Sequence, residues 1–206
     1  RRDHRLLRVI FSVVFVADIG FFLNNNTIGI ILFAIAQMLF ISRHLKGVAS
    51  LKRYHPAKTI QKMVLSAVSV ISVNCILMVM VFIPRSDHPL FGLVAGYSFF
   101  LCASVFAGIA SIFIGVFPRI NAILIMIAVF VLYCGDVMVG LNLMLTSEKA
   151  LIISTSLTWT FYLPAIVLFS LSGIRWKNDE TKICFIKEIK KLRRGRMAES
   201  ACSETM

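Results

Sequence analysis

Acidic side chains are scarce in this chain. Ten Asp and Glu stand against 22 Lys and Arg in 206 residues. Several chemical signatures are missing altogether. No Cys-x-x-Cys pair occurs among Cys75, Cys102, Cys134, Cys184 and Cys202, so neither a disulfide framework nor a zinc site is indicated. The cysteines read as small apolar side chains. No His-Glu-x-x-His or His-x-x-x-His pattern joins His4, His44, His55 and His88, which read as lying outside the apolar blocks. That excludes an intramembrane histidine metal site. No Gly-x-Ser-x-Gly elbow and no Gly-rich phosphate loop occurs, so a serine nucleophile has no support. No metal and no cofactor is called for. The first apolar block holds Asp18 and ends in Asn24-Asn25-Asn26 instead of a small-residue cleavage site, so it does not read as a secretory signal.

What the chain does have is apolar length. Hydrophobic residues make up 58% of it and mean hydropathy is +0.85. The apolar residues fall in blocks of about 20, the length that crosses a bilayer as a helix. No block alternates with the period of a membrane barrel strand. The expected fold is an all-α, polytopic transmembrane bundle of about six spans, near 6–23, 27–45, 62–84, 89–117, 120–145 and 149–173. Asn24 to Asn26, the Pro84–Pro89 segment, Pro118-Arg119 and Thr146-Ser147-Glu148 supply the breaks. Gly92 and Gly96, followed by Ser104 and Gly108, give span four a small-residue stripe that predicts close helix packing.

The basic residues orient this bundle. Twenty of the 22, Arg43 among them, fall on the side that holds both termini, and only Arg85 and Lys149 fall on the other. By the positive-inside rule both termini are cytoplasmic. The net charge of +12 then needs no nucleic acid, because it faces anionic lipid headgroups. Residues 1–173 form the membrane domain and 174–206 a basic tail. There Ile183, Ile186, Ile189 and Leu192 recur every three residues among lysines and arginines, as in a short amphipathic helix on the membrane surface.

Within the spans, two carboxyl groups stand out. A charged carboxylate at the bilayer centre costs roughly 2.5–3.5 kcal/mol even on the most permissive scales, so such a group is usually retained for a function. Asp18 is expected roughly 9 Å, and Asp136 roughly 15 Å, from the outer ends of their helices at 1.5 Å per residue. The two are expected to face one cavity. Gln37, Asn74, Asn142, Trp159 and Tyr162 are the polar groups at comparable depth. Asn74 reads best as a hydrogen bond between helices.

The order of these residues resembles the YhhN family of membrane proteins, which includes lysoplasmalogenases. Val16-Ala17-Asp18 is similar to that family's Gly-Asp near the end of a helix. Phe33 to Ile41, with Gln37 at its centre, is similar to its Phe-x-x-(Ala/Ser)-(His/Gln)-x-x-Tyr stretch. Phe130 to Asp136 matches its Phe-x-x-x-Ser-Asp, with one extra residue, and Phe161 to Ala165 its Tyr-Tyr-x-Gly-Gln. Ala17, Phe40 and Gly135 replace Gly, Tyr and Ser, and Pro164 and Ala165 stand where Gly and Gln or His are usual. The family usually has eight spans, so the resemblance implies that two precede Arg1, in keeping with a start that lacks Met.

The resemblance implies hydrolysis of the vinyl-ether bond of a lysoplasmalogen to a fatty aldehyde and a glycerophospho-base. Asp136 would be the acid that protonates carbon and Asp18 the partner that stabilises the oxocarbenium ion or activates water, as paired carboxylates do in glycoside hydrolysis. Removal from water favours a neutral, proton-donating carboxyl. Gln37, Tyr162 and Asn142 would hold water or substrate. Two other readings fit the same residues. One is a small transporter or lipid-binding protein that uses the aspartates for a proton or cation. The other is a structural membrane partner, in which Asp136 has no role.

Overall fold

A computed structural model describes residues 2–45, 57–115 and 117–174. Among these residues every regular element is helical: α1 (Arg2–Phe22), α2 (Asn26–His44), α3 (Ala57–Leu77), α4 (Phe91–Ile114), α5 (Arg119–Asn142) and α6 (Glu148–Leu171). The fold is an all-α bundle. Five helical stretches are long and apolar enough to cross a membrane, including Thr59–Arg85, which continues α3. The chain is therefore a multi-pass membrane protein. α1 has the length, but Arg5, Arg8 and Asp18 set its composition apart. The basic tail beyond Ile174, with its expected amphipathic helix, and the basic stretch 46–56 lie outside the described residues.

The turns follow the local chemistry. Asn24 takes a left-handed backbone, φ 57°, which Asn tolerates better than most residues. Its neighbour Asn25 then caps α2, its side chain accepting from the Ile28 N–H at 3.3 Å. Gly115, φ 67°, ends α4 in the left-handed conformation that glycine supplies without steric cost. Pro118 precedes α5, where a missing N–H breaks no helical bond.

These short turns make neighbours of α1 and α2, of α4 and α5, and of α5 and α6; α2 also packs on α4, and α3 on α4. The main core joins four helices through Ile10, Val14 and Ala17, Phe33 and Phe40, Leu132 and Phe169. Ala165, which stands where the resembling family has Gln or His, is fully buried in this apolar core. α3 stays at the edge, with no buried residue from Thr59 to Val81. It ends in an unforeseen π-helical turn, Met78–Phe82, and a 3-10 turn, Ile83–Arg85. The wider turn brings the Phe82 ring into the bundle against Gly140, where a Cβ would lie 3.2 Å from the ring.

Two expectations are corrected. Gly92 and Gly96 pack against nothing: a Cβ at either position meets open space. Their sequence spacing places them on one face, but that face is not the one α5 uses. Gly108, together with the buried Ser104, is on the packed face, and a Cβ there would overlap the Val129 side chain. Gly108→Leu is accordingly expected to lower stability by about 1–3 kcal/mol through overpacking. Gly96→Leu should be neutral within about 0.5 kcal/mol, the range of surface changes. Thermal unfolding of the two variants in the same detergent checks the contrast.

Arg43 and His44 are the second correction. The sequence puts Arg43 between spans two and three and His44 outside the spans, yet both are 0% exposed at the end of α2. Arg43 is held there by hydrogen bonds to Ser172, 3.1 Å to its hydroxyl and 3.5 Å to its carbonyl, and by the Phe117 ring 5.3 Å away. His44 stacks on Phe40 and Phe169. A guanidinium has enough donors, and an imidazole enough flat apolar surface, to be retained inside when such partners are present.

Candidate functional site

Opposite that end, near the α1–α2, α3–α4 and α5–α6 turns, the bundle holds a cavity of about 660 Å³. The volume falls in the range of small-molecule sites. Both aspartates line it. The helices end earlier than the apolar pattern suggested, so Asp18 lies four residues, roughly 6 Å, from Phe22 and Asp136 six residues, roughly 9 Å, from Asn142. The site is thus shallower than the sequence implied.

Asp136 projects from α5 and is 8% exposed. Its Oδ2 accepts from the Tyr97 hydroxyl of α4 at 2.9 Å and from Gln37 Nε2 of α2 at 3.3 Å. Gln37 Nε2 also lies 3.5 Å from the Tyr97 hydroxyl. Three helices therefore fix one carboxyl group. Gln37 is fully buried and is not among the residues that line the cavity, so it orients Asp136 and does not reach an occupant. Its Oε1 finds no partner among the described residues.

Asp18, half-buried on α1, accepts from the Tyr162 hydroxyl of α6 at 2.6 Å. Tyr162 packs edge-on against Phe33 of α2 and against Trp159, with ring centroids 6.4 and 5.8 Å apart. Trp159 and Tyr162 of α6 both line the cavity beside Asp18. Asn142 lines it as well, with its Oδ1 buried and without a partner. Asn74 of α3 accepts from the Tyr133 hydroxyl of α5 at 3.1 Å, a hydrogen bond between helices as expected, and both residues also face the cavity.

Each carboxyl group is held by a tyrosine. The sequence pointed to Tyr162 and missed Tyr97. A buried phenol needs a partner for its hydroxyl, and Tyr97 is the tyrosine of α4, so that signal was present. The small residues around it drew attention to packing instead. The remaining wall is apolar: Phe21 and Ile30 on one side, Leu77, Met78 and Phe82 on another. Among the described residues no group of three or more His, Cys, Asp or Glu is placed to hold a metal ion.

Comparison of the chain with known protein families, with curated proteins and with solved structures finds no match. What the site can do is therefore argued from its own chemistry. An apolar cavity with two carboxyl groups at its polar end suits an amphiphile: a chain against the phenylalanines and a reacting or charged group between the aspartates.

Proposed function

We propose that this protein is a membrane hydrolase that cleaves the vinyl-ether bond of a lysoplasmalogen, as the resemblance to the YhhN family implies. The observation that carries the reading is the pair of carboxyl groups, Asp18 and Asp136, lining one largely apolar cavity, each held by a tyrosine hydroxyl. Six spans with both termini cytoplasmic, in the inner membrane if the cell is bacterial, belong to the same reading.

The chemistry needs two such groups. One neutral carboxyl gives its proton to the alkenyl carbon remote from oxygen, and the positive charge develops on the adjacent carbon–oxygen pair. A second, ionised carboxylate stabilises that oxocarbenium ion and takes a proton from the attacking water. The partner then gives its proton to the glycerol oxygen as the hemiacetal carbon–oxygen bond breaks, the hemiacetal hydroxyl returns a proton to the first carboxylate, and a fatty aldehyde leaves with both carboxyl groups restored. One water is consumed. Asp136, the more buried of the two and fixed from three helices, is the acid; Asp18, nearer the turn, is the partner. Tyr97 and Gln37 orient the acid, Tyr162 orients the partner, and Asn142 Oδ1 accepts from water or the glycerol.

The test is release of fatty aldehyde from a lysoplasmalogen by the purified protein in detergent. Aldehyde formed in proportion to protein, with none from the saturated ether analogue, is the expected result. No aldehyde from a folded sample, also when any natural upstream sequence is included, would sink the reading.

A further inference from the structure

The cavity carries a preference of charge as well as of shape. Among the described residues that line it, Asp18 and Asp136 are the charged side chains; no Lys, Arg or His is there. The nearby Arg85 donates back to the Val81 carbonyl of its own helix segment. The three tyrosine hydroxyls of the lining are committed to partners within it. Tyr97 donates to Asp136, Tyr162 to Asp18 and Tyr133 to Asn74, while Ser98 and Thr158 donate to main-chain carbonyls. Among the described residues, Asn142 Oδ1 is a buried acceptor without a partner at this polar side.

An anionic group entering this site would meet two carboxyl groups and no cation among the described lining residues. It would lose part of its hydration with no positive charge to offset that loss. A cation meets the opposite situation. It finds two carboxyl groups in a medium of low dielectric, where attraction between opposite charges is less screened than in water. It also finds the perpendicular rings of Trp159 and Tyr162, interplanar angle 79°, beside Asp18. Aromatic faces with a neighbouring carboxylate are a known way to hold an ammonium group.

We propose that the cavity binds single-chain amphiphiles whose polar end carries a positive charge, an alkylammonium group, in preference to neutral or anionic ones of the same chain. The proposal rests on the reading that this cavity is the functional site, and it deepens that reading. The oxocarbenium ion of vinyl-ether cleavage is a positive charge at the same place, so an alkylammonium would act as its stable mimic. The phosphate of a lysophospholipid finds no cation within the described lining and stays at the mouth.

The probes are dodecyltrimethylammonium, 1-O-dodecylglycerol, dodecanoate and free choline, titrated into the full chain in nanodiscs of an uncharged glycolipid. Binding is read from Trp159 fluorescence with Trp176→Phe as the background. Saturable binding of dodecyltrimethylammonium at least tenfold tighter than of the other three is expected. Asp18→Asn and Asp136→Asn should each weaken it tenfold or more. Equal affinity for the three dodecyl compounds overturns the proposal, and needs no variant to do so. Choline as tight as the amphiphile overturns it in favour of a free-amine site. Tight cation binding without aldehyde release would support the proposal and sink the hydrolase; aldehyde release without charge preference would do the reverse.

Discussion

Asp136→Asn is expected to lower aldehyde release at least 100-fold while the protein stays folded. The substitution keeps the shape of the side chain and an oxygen that can accept from Tyr97 and Gln37, which now bind Oδ2 at 2.9 and 3.3 Å. What it removes is the acidic proton. Protonation of carbon is the step that needs a strong, positioned donor, and loss of a general acid typically costs 10²–10⁴-fold. Stability should hold, because a neutral carboxyl and an amide of the same shape cost about the same to bury. The combination is what matters. Turnover down with thermal unfolding unchanged identifies a group kept for chemistry and not for stability. Full turnover by Asp136→Asn would remove Asp136 from the mechanism and leave the resemblance without its main residue.

How much of this was visible beforehand varied with the kind of signal. The helices were legible because lipid demands an apolar stretch of fixed length, and Phe91–Ile114 or Arg119–Asn142 meets that demand without ambiguity. Both aspartates were legible for the complementary reason: charge is conspicuous where almost everything else is apolar. Tyr162 fell within the same logic. Tyr97 did not, since a tyrosine in a membrane helix is equally at home in packing, and only the fold shows that its hydroxyl meets Asp136. The small-residue stripe misled in part. Spacing pairs Gly92 with Gly96 and Ser104 with Gly108, but does not say which pair's face a neighbour touches, and of the three glycines only Gly108 is touched. The π-helical turn at Met78–Phe82 has no sequence mark at all. It follows from where Phe82 packs, which is a tertiary matter.

Arg43 is the sharpest instance of a residue whose type suggested one environment and whose partners supply another, and its replacement carries the largest expected loss of stability. Arg43→Met keeps the apolar stem and roughly the volume but removes the guanidinium, which donates to the Ser172 hydroxyl and carbonyl and lies over Phe117. The Ser172 carbonyl would retain the Asn121 amide at 2.8 Å, so the end of α6 is weakened and not stripped. Hydrogen bonds that involve a charged group contribute about 1.5–3 kcal/mol each. A net loss of about 2–4 kcal/mol is expected, seen as a lower unfolding temperature in detergent. Arg43→Lys should recover only part of it, because one ammonium cannot reproduce the planar fork that spans a hydroxyl, a carbonyl and a ring. The folded fraction of either variant should bind dodecyltrimethylammonium with wild-type affinity, since the cavity lies towards the other end of the bundle and Arg43 does not line it. An unchanged unfolding temperature for Arg43→Met would mean that the guanidinium contributes no more inside the bundle than a thioether does. A changed cation affinity would mean that the two ends of the bundle are coupled through α2, the helix that carries Gln37 and Arg43 six residues apart.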